Sequence, residues 1–253
     1  MRASLAAFAA IAAVVAAPAI AWTQGAAAQT PVVAQAETPP PLEALQRMGA
    51  YLGTLQSFEM TSDSSIDLIE GRDQRIDLDG VTTYKVRRPN GFVIENRTDR
   101  KVRRFIYDGS KFTVYAPTRG FYATADAPPT IKEVLDVAYD RYGIALPLED
   151  LFHWGDPNTM PHDFLSSQYV GPATVDGTQT DQYAFREDGI DWQIWIRRGD
   201  QPLPLKIVIV DMVDPAMPEF SARLSWNLTP RFDDRTFAFT PGGDDVAIPF
   251  HQQ

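Results

Sequence analysis

The most regular hydrophobic alternation in the chain runs from Val81 to Pro117. Tyr84, Val86 and Arg88 alternate with Lys85 and Arg87, and Phe92 and Ile94 alternate with Val93 and Glu95. Phe105 and Tyr107 flank Ile106, while Phe112 and Val114 alternate with Thr113 and Tyr115. A period of two puts every second side chain on the same face of an extended strand. Pro89-Asn90-Gly91 and Asp108-Gly109 break the alternation with turn chemistry, Asp-Gly being a strong hairpin signal. The pattern therefore predicts four short antiparallel strands in a meander. One apolar face carries Tyr84, Val86, Phe92, Ile94, Phe105, Tyr107, Phe112 and Val114, with Arg88 the single arginine on it.

Similar alternation extends to both sides. Residues 58–70 and 75–88 read as two long strands joined through Gly71-Arg72-Asp73, and Phe121-Tyr122-Ala123 reads as a further edge strand. Further strands are predicted at 167–175, 178–186, 191–197, 205–213 and 220–228, with 237–240 closing the sheet. Trp192, Ile194 and Ile196 share a face, and Trp195 lies on the other.

Helical spacing replaces this pattern in two places. Pro41 opens a helix carrying Leu42, Leu45, Met48, Tyr51, Leu52 and Leu55. Thr130, with Glu133 three residues on, predicts a capping box for a second helix whose face is Ile131, Val134, Leu135, Ala138 and Tyr142 and whose stop is Gly143. Residues 147–152 read as another short helix, and 161–165 as one more turn. This helical insertion either packs as plain core or covers an open sheet mouth. No βαβ alternation occurs, so the sheet is antiparallel. The predicted class is mainly β with helices (α+β): an incomplete barrel of about eleven antiparallel strands, an N-terminal helix and a helical lid.

The N-terminus adds a compartment. Arg2 precedes an apolar run over residues 5–21, broken by Pro18, with cleavage patterns at Ala19-Ile20-Ala21 and Ala26-Ala27-Ala28. This is the pattern of a secretory signal peptide, assigned to residues 1–28. Residues 29–40, rich in Ala, Pro, Gln and Thr, read as a disordered leader, and 41–253 as one domain. No later apolar run reaches the ~18 residues of a spanning helix. A soluble protein exported to the periplasm is expected.

Charge and composition then exclude classes of function. The chain holds 33 acidic against 23 basic residues, a formal net charge of −10, which argues against a nucleic-acid partner. The local basic run Arg87, Arg88, Arg97, Arg100, Lys101, Arg103 and Arg104 reads as a solvated edge and loop. Without cysteine there is no disulfide, thiolate nucleophile or lipidated N-terminal cysteine. His153, Asp156 and His162 match no helical metal-site spacing, and neither a G-x-S-x-G elbow nor a phosphate-binding glycine loop occurs. A non-enzymatic protein with no metal and no cofactor is the expectation.

The motifs Val86-Arg87-Arg88-Pro89-Asn90-Gly91-Phe92, Asp108-Gly109-Ser110-Lys111 and Tyr115-Ala116-Pro117, with Phe237-Ala238-Phe239-Thr240-Pro241 near the end, resemble the periplasmic carrier protein for outer-membrane lipoproteins. The mature chain as a whole more closely resembles a family of predicted periplasmic proteins of the same carrier-like fold, through Leu203-Pro204-Leu205-Lys206, Trp226-Asn227-Leu228 and the Phe-x-Phe-x-Pro ending. The resemblance implies an apolar half-barrel that holds lipid or lipoprotein acyl chains, with ligand-binding residues Tyr84, Val86, Arg88, Phe92, Ile94, Phe105, Tyr107, Phe112 and Val114. It further implies that Arg88 bonds lid carbonyls and helps keep the lid shut. By charge alone, Asp136 or Asp140 would serve equally as its partner. The chain departs from the carrier at Thr113, where the carrier has an aromatic residue. The expected partner is a lipid or acylated protein, with transient membrane contact and a monomeric state. The alternative is a periplasmic sensor domain that binds a protein partner, and on the residues alone the aromatic face reads equally as plain core.

Overall fold

The computed structural model describes residues 38–71, 74–154 and 164–251. Signal peptide, most of the leader, Asp156 and His162 lie outside these, as does most of the predicted turn at 161–165. Helix α1 (Pro41–Thr54) precedes strands β1 (Ser57–Glu70), β2 (Gln74–Arg87), β3 (Gly91–Thr98), β4 (Val102–Tyr107), β5 (Lys111–Ala116) and β6 (Phe121–Asp126). Helices α2 (Ile131–Tyr142) and α3 (Asp150–His153) follow, then β7 (Ser166–Val175), β8 (Thr178–Glu187), β9 (Ile190–Arg197), β10 (Pro204–Asp211), β11 (Glu219–Asn227) and the two-residue β12 (Val246–Ala247).

These twelve strands form one sheet in the order β12-β6-β5-β4-β3-β2-β1-β11-β10-β9-β8-β7. Its two edges, β12 and β7, do not meet, so the barrel is incomplete, as expected. Three details differ from the sequence reading. The strand count among the described residues is twelve rather than eleven, and β12 pairs with β6 in parallel. Residues 237–240 form no strand. They cross the outer face of the sheet as an extended strap, with Phe239 between the rings of Tyr115 (5.2 Å) and Tyr122 (5.0 Å). Alternation survives there because an extended chain lying on a sheet keeps a period of two without joining its hydrogen-bond ladder.

Register sets the inner face. Trp226, Met60, Tyr84, Ile94, Phe105, Val114 and Ala123 are successive cross-strand partners from β11 to β6. The next row runs Phe58, Val86, Phe92, Tyr107, Phe112 and Ala125. On the other side Ala222, Ile207, Ile194 and Tyr183 continue the same face across β11, β10, β9 and β8.

The helices cover this face. α1 begins with Pro at its first position and buries Ala44, Leu45, Met48 and Leu52, which recur at helical spacing. α2 buries Ile131, Val134, Leu135 and Ala138, and Gly143 ends it in the left-handed region at φ 61°. Its cap differs from the expected box. The Glu133 N–H donates to the Thr130 hydroxyl, but that hydroxyl donates in turn to the Glu133 carboxylate (2.7 Å), so the reciprocal bond joins two side chains. After β12 the tail reaches the inner face, where Phe250 stacks on Phe112 (6.1 Å) and on Tyr142 of α2 (4.5 Å).

Candidate binding face and lid

The candidate site is the inner face with the three helices that cover it. Tyr84, Val86, Phe92, Ile94, Phe105, Tyr107 and Phe112 are all buried there, and Val114 packs against them half-buried. Their rings interlock: Phe92 lies 5.4 Å from Tyr107 and 6.3 Å from Phe112. Side chains of α1 and α2 belong to the same cluster. The meander thus meets the lid directly.

Space opens beside the meander. A cavity of about 230 Å³ lies between α3 and the β9–β10 pair, lined mainly by Leu148, Leu151, Trp154, Trp192, Ile207 and Ile209, with the carboxylates of Asp150 and Glu187 also in its wall. Trp154 and Trp192 pack against each other in its wall, with ring centroids 5.8 Å apart. The apolar surface continues outward: Ile209 pairs with Phe220, Phe220 with Ile66 and Ile66 with Leu78, on the same face as the core ladder. Ile66 is half exposed. The sequence reading missed this region, although the alternation of Ile207 and Ile209 and of Trp192 and Ile194 carried the signal.

Hydroxyl groups pin the lid. The Tyr107 hydroxyl donates to the Pro128 carbonyl (2.6 Å) just before α2, and the Tyr84 hydroxyl donates to the Pro147 carbonyl (2.9 Å) just before α3. Tyr183 does the same for α1, donating to the Pro39 carbonyl at 3.3 Å. Each helix therefore has its entrance held by a buried tyrosine. Burial pushes the Tyr84 and Tyr183 phenols well above their ordinary range and Tyr107 up to about 12, with Glu133 and Asp108 adding to the last. All three remain donors at any physiological pH. Two backbone bonds reinforce the root of α2: Ala127 N–H to the Ser110 carbonyl and Ile131 N–H to the Pro89 carbonyl, both 2.9 Å.

Arg88 does not act as expected. Its backbone N–H donates to the Gln56 carbonyl (2.8 Å), and its side chain is half-buried. The guanidinium Nε is buried without any hydrogen-bond partner, and burial disfavours its charge. Among the described residues no bond joins it to carbonyls of the lid, to Asp136 or to Asp140. Asp136 instead pairs with Lys132 one turn away (3.1 Å). Tyr84, bonded to the Pro147 carbonyl, takes the kind of lid carbonyl that the resemblance assigned to Arg88, and a neutral hydroxyl loses less solvation on burial than a guanidinium.

Among the described residues no group of three or more metal-ligating side chains converges. The basic run is partly neutralised in ion pairs: Arg104 and Arg97 both bond Glu95, the latter at 2.7 Å.

The family model described as predicted periplasmic protein (DUF2092) matches residues 42–251. The chain belongs to that family. Its compartment is the periplasm, as the N-terminal pattern led us to expect. A search of curated proteins finds no match to this DUF2092 chain. Among solved structures it is similar to an uncharacterized conserved protein from Thermus thermophilus, at 9% identity, covering 82% of this chain and 97% of that one with a TM-score of 0.48. LprF from Mycobacterium bovis aligns at 12% identity over 81% of this chain and 100% of its own, with a TM-score of 0.44. A LolA superfamily protein from Nitrosomonas europaea aligns at 9% identity over 80% and 99%, with a TM-score of 0.35.

Proposed function

We propose that this periplasmic protein binds acyl chains of lipids or lipoproteins on its inner face and carries them, without chemistry. The observation that carries this reading is the apolar cavity between α3 and β9–β10, which continues onto the open surface formed by Ile209, Phe220, Ile66 and Leu78. At about 230 Å³ it is smaller than ordinary ligand pockets of about 300–1,000 Å³. A long chain therefore takes its place by displacing α3 and then α2. That motion uncovers Tyr84, Val86, Phe92, Ile94, Phe105, Tyr107, Phe112 and Val114 as the deeper lining, with Arg88 at its margin.

Energetics suit a carrier. Each buried methylene gains roughly 0.8 kcal/mol, and a membrane offers the same gain. Uptake and release then turn on the lid, which a few hydrogen bonds of about 1 kcal/mol net hold closed. The test is native mass spectrometry of the chain purified from periplasm, together with titration by a dansyl-labelled fatty acid. Co-purified lipid and displacement of the dansyl probe by long-chain fatty acids are expected. Absence of both defeats the reading, and recovery of one stoichiometric protein without lipid points to the sensor alternative.

A further inference from the structure

A second and larger cavity, about 510 Å³, lies on the opposite face of the sheet. Its roof is the strap, through Thr236, Ala238, Phe239 and Thr240, and its floor is the outward side of β1 to β5. The strap is fixed at one end. Arg87 donates to the Asp234 carboxylate (2.8 Å) and lies 4.6 Å over the Phe237 ring. Phe239 is held between two tyrosines further on. This volume falls within the range of ordinary ligand pockets.

The floor contains two directly opposed pairs of unlike charge. Glu95 faces Arg104 across β3 and β4, and the two form an ion pair that Arg97 joins. Glu59 faces Lys85 across β1 and β2 in the same way, with Cβ atoms about 5 Å apart for such a pair. Yet among the described residues neither Glu59 nor Lys85 makes an ion pair or a side-chain hydrogen bond. One pair is closed and the other open, and both line the cavity, so the open pair holds its unpaired charges. Next to Lys85 in its row stand Val93 and Ile106, so the floor turns apolar within two strands.

We propose that this outer cavity binds a zwitterionic ligand of the amino-acid or short-peptide class. Its ammonium sits on Glu59, its carboxylate on Lys85, and its apolar side chain lies over Val93 and Ile106 beneath the strap. Two opposite charges held a few ångströms apart beside an apolar floor match a molecule with both charges and an aliphatic group. A simple anion would meet Glu59, and a simple cation would meet Lys85.

The dipeptide alanyl-leucine is the probe, titrated calorimetrically into the purified chain beside its N-acetyl and C-amide forms. Removing either charge from the ligand should weaken binding about tenfold, as for a lost charge-assisted hydrogen bond. On Glu59→Gln, acetylation should cost nothing further, and on Lys85→Met, amidation should cost nothing further. Both variants should retain the dansyl fatty acid as the parent does, which separates this face from the inner one. No binding of alanyl-leucine at millimolar concentration overturns the proposal. So does equal binding of the capped forms, or an equal capping penalty in parent and variants.

Discussion

The hydroxyl of Tyr84, on a fully buried ring of β2, donates to the carbonyl of Pro147 at 2.9 Å, just before α3. Tyr84→Phe removes the donor and leaves the carbonyl without a partner. A loss of about 1 kcal/mol is expected, equivalent to roughly fivefold more frequent opening of that segment. Hydrogen exchange should accelerate over residues 144–153 and stay unchanged in β3 and β4. Equal protection of residues 144–153 in both proteins would show that the bond does not hold the lid.

Arg88→Leu should stabilise the protein. The side chain carries a buried Nε with no partner, so its replacement removes a desolvation cost without breaking a bond. A rise of about 1 kcal/mol in urea unfolding is expected, with exchange over residues 131–151 unaltered. Accelerated exchange there would return to Arg88 the latch role that the resemblance implied.

Much of this was legible in the chain itself. The parity of Phe92, Ile94, Phe105, Tyr107 and Phe112 reads directly from alternation about two turns, and their shared burial follows. The α2 boundaries were written by Thr130 and Gly143, whose chemistry is local. The strap was not legible: Phe237 and Phe239 alternate as a strand does, and only the absence of backbone pairing distinguishes them. Nor was the Arg88 environment, because whether a strand-end arginine finds a partner depends on helices much further along the chain. The tyrosine bonds left a faint signal. A Tyr where a Phe would fill the same space, three times over, implies a use for the hydroxyl. Alternation marks the buried face that carries the proposed ligand contacts, but not where the lid leaves room.

Phe92→Ala should cost about 3–5 kcal/mol, the range for deleting a fully buried aromatic ring. Val114→Ala, on the half-buried rim of the same face, should cost much less. The comparison of urea midpoints measures how tightly the meander and lid are packed. A small loss at Phe92 would mean that the lid collapses readily into the vacated space.

The Glu95 carboxyl supplies a pH dependence. Burial alone would raise its pKa, but hydrogen bonds and charges from Arg104 and Arg97 outweigh that and hold it below the ordinary range. A depressed native value means its contribution is complete above the unfolded pKa of about 4.3 and is lost as pH falls through the native value. Both arginines are substantially exposed, so the contribution is no more than about 1 kcal/mol. Glu95→Gln should be less stable than the parent at neutral pH, with the gap closing in strong acid. A gap that is constant with pH would assign the loss to packing.

The middle of the sheet is stitched by β1 and β11, where Glu59 meets Asn227 and Ile66 meets Phe220. Each half is a run of neighbouring hairpins that close short loops, β2 to β6 on one side and β7 to β10 on the other. The seam between them closes a loop of most of the domain, an entropic cost met only after both halves exist. Folding should therefore be slow and should commit late, when the chain just after α1 finds β11. Until that seam seals, the unpaired edges of β1 and β11 are templates for pairing with other chains, so refolding yield should fall as protein concentration rises.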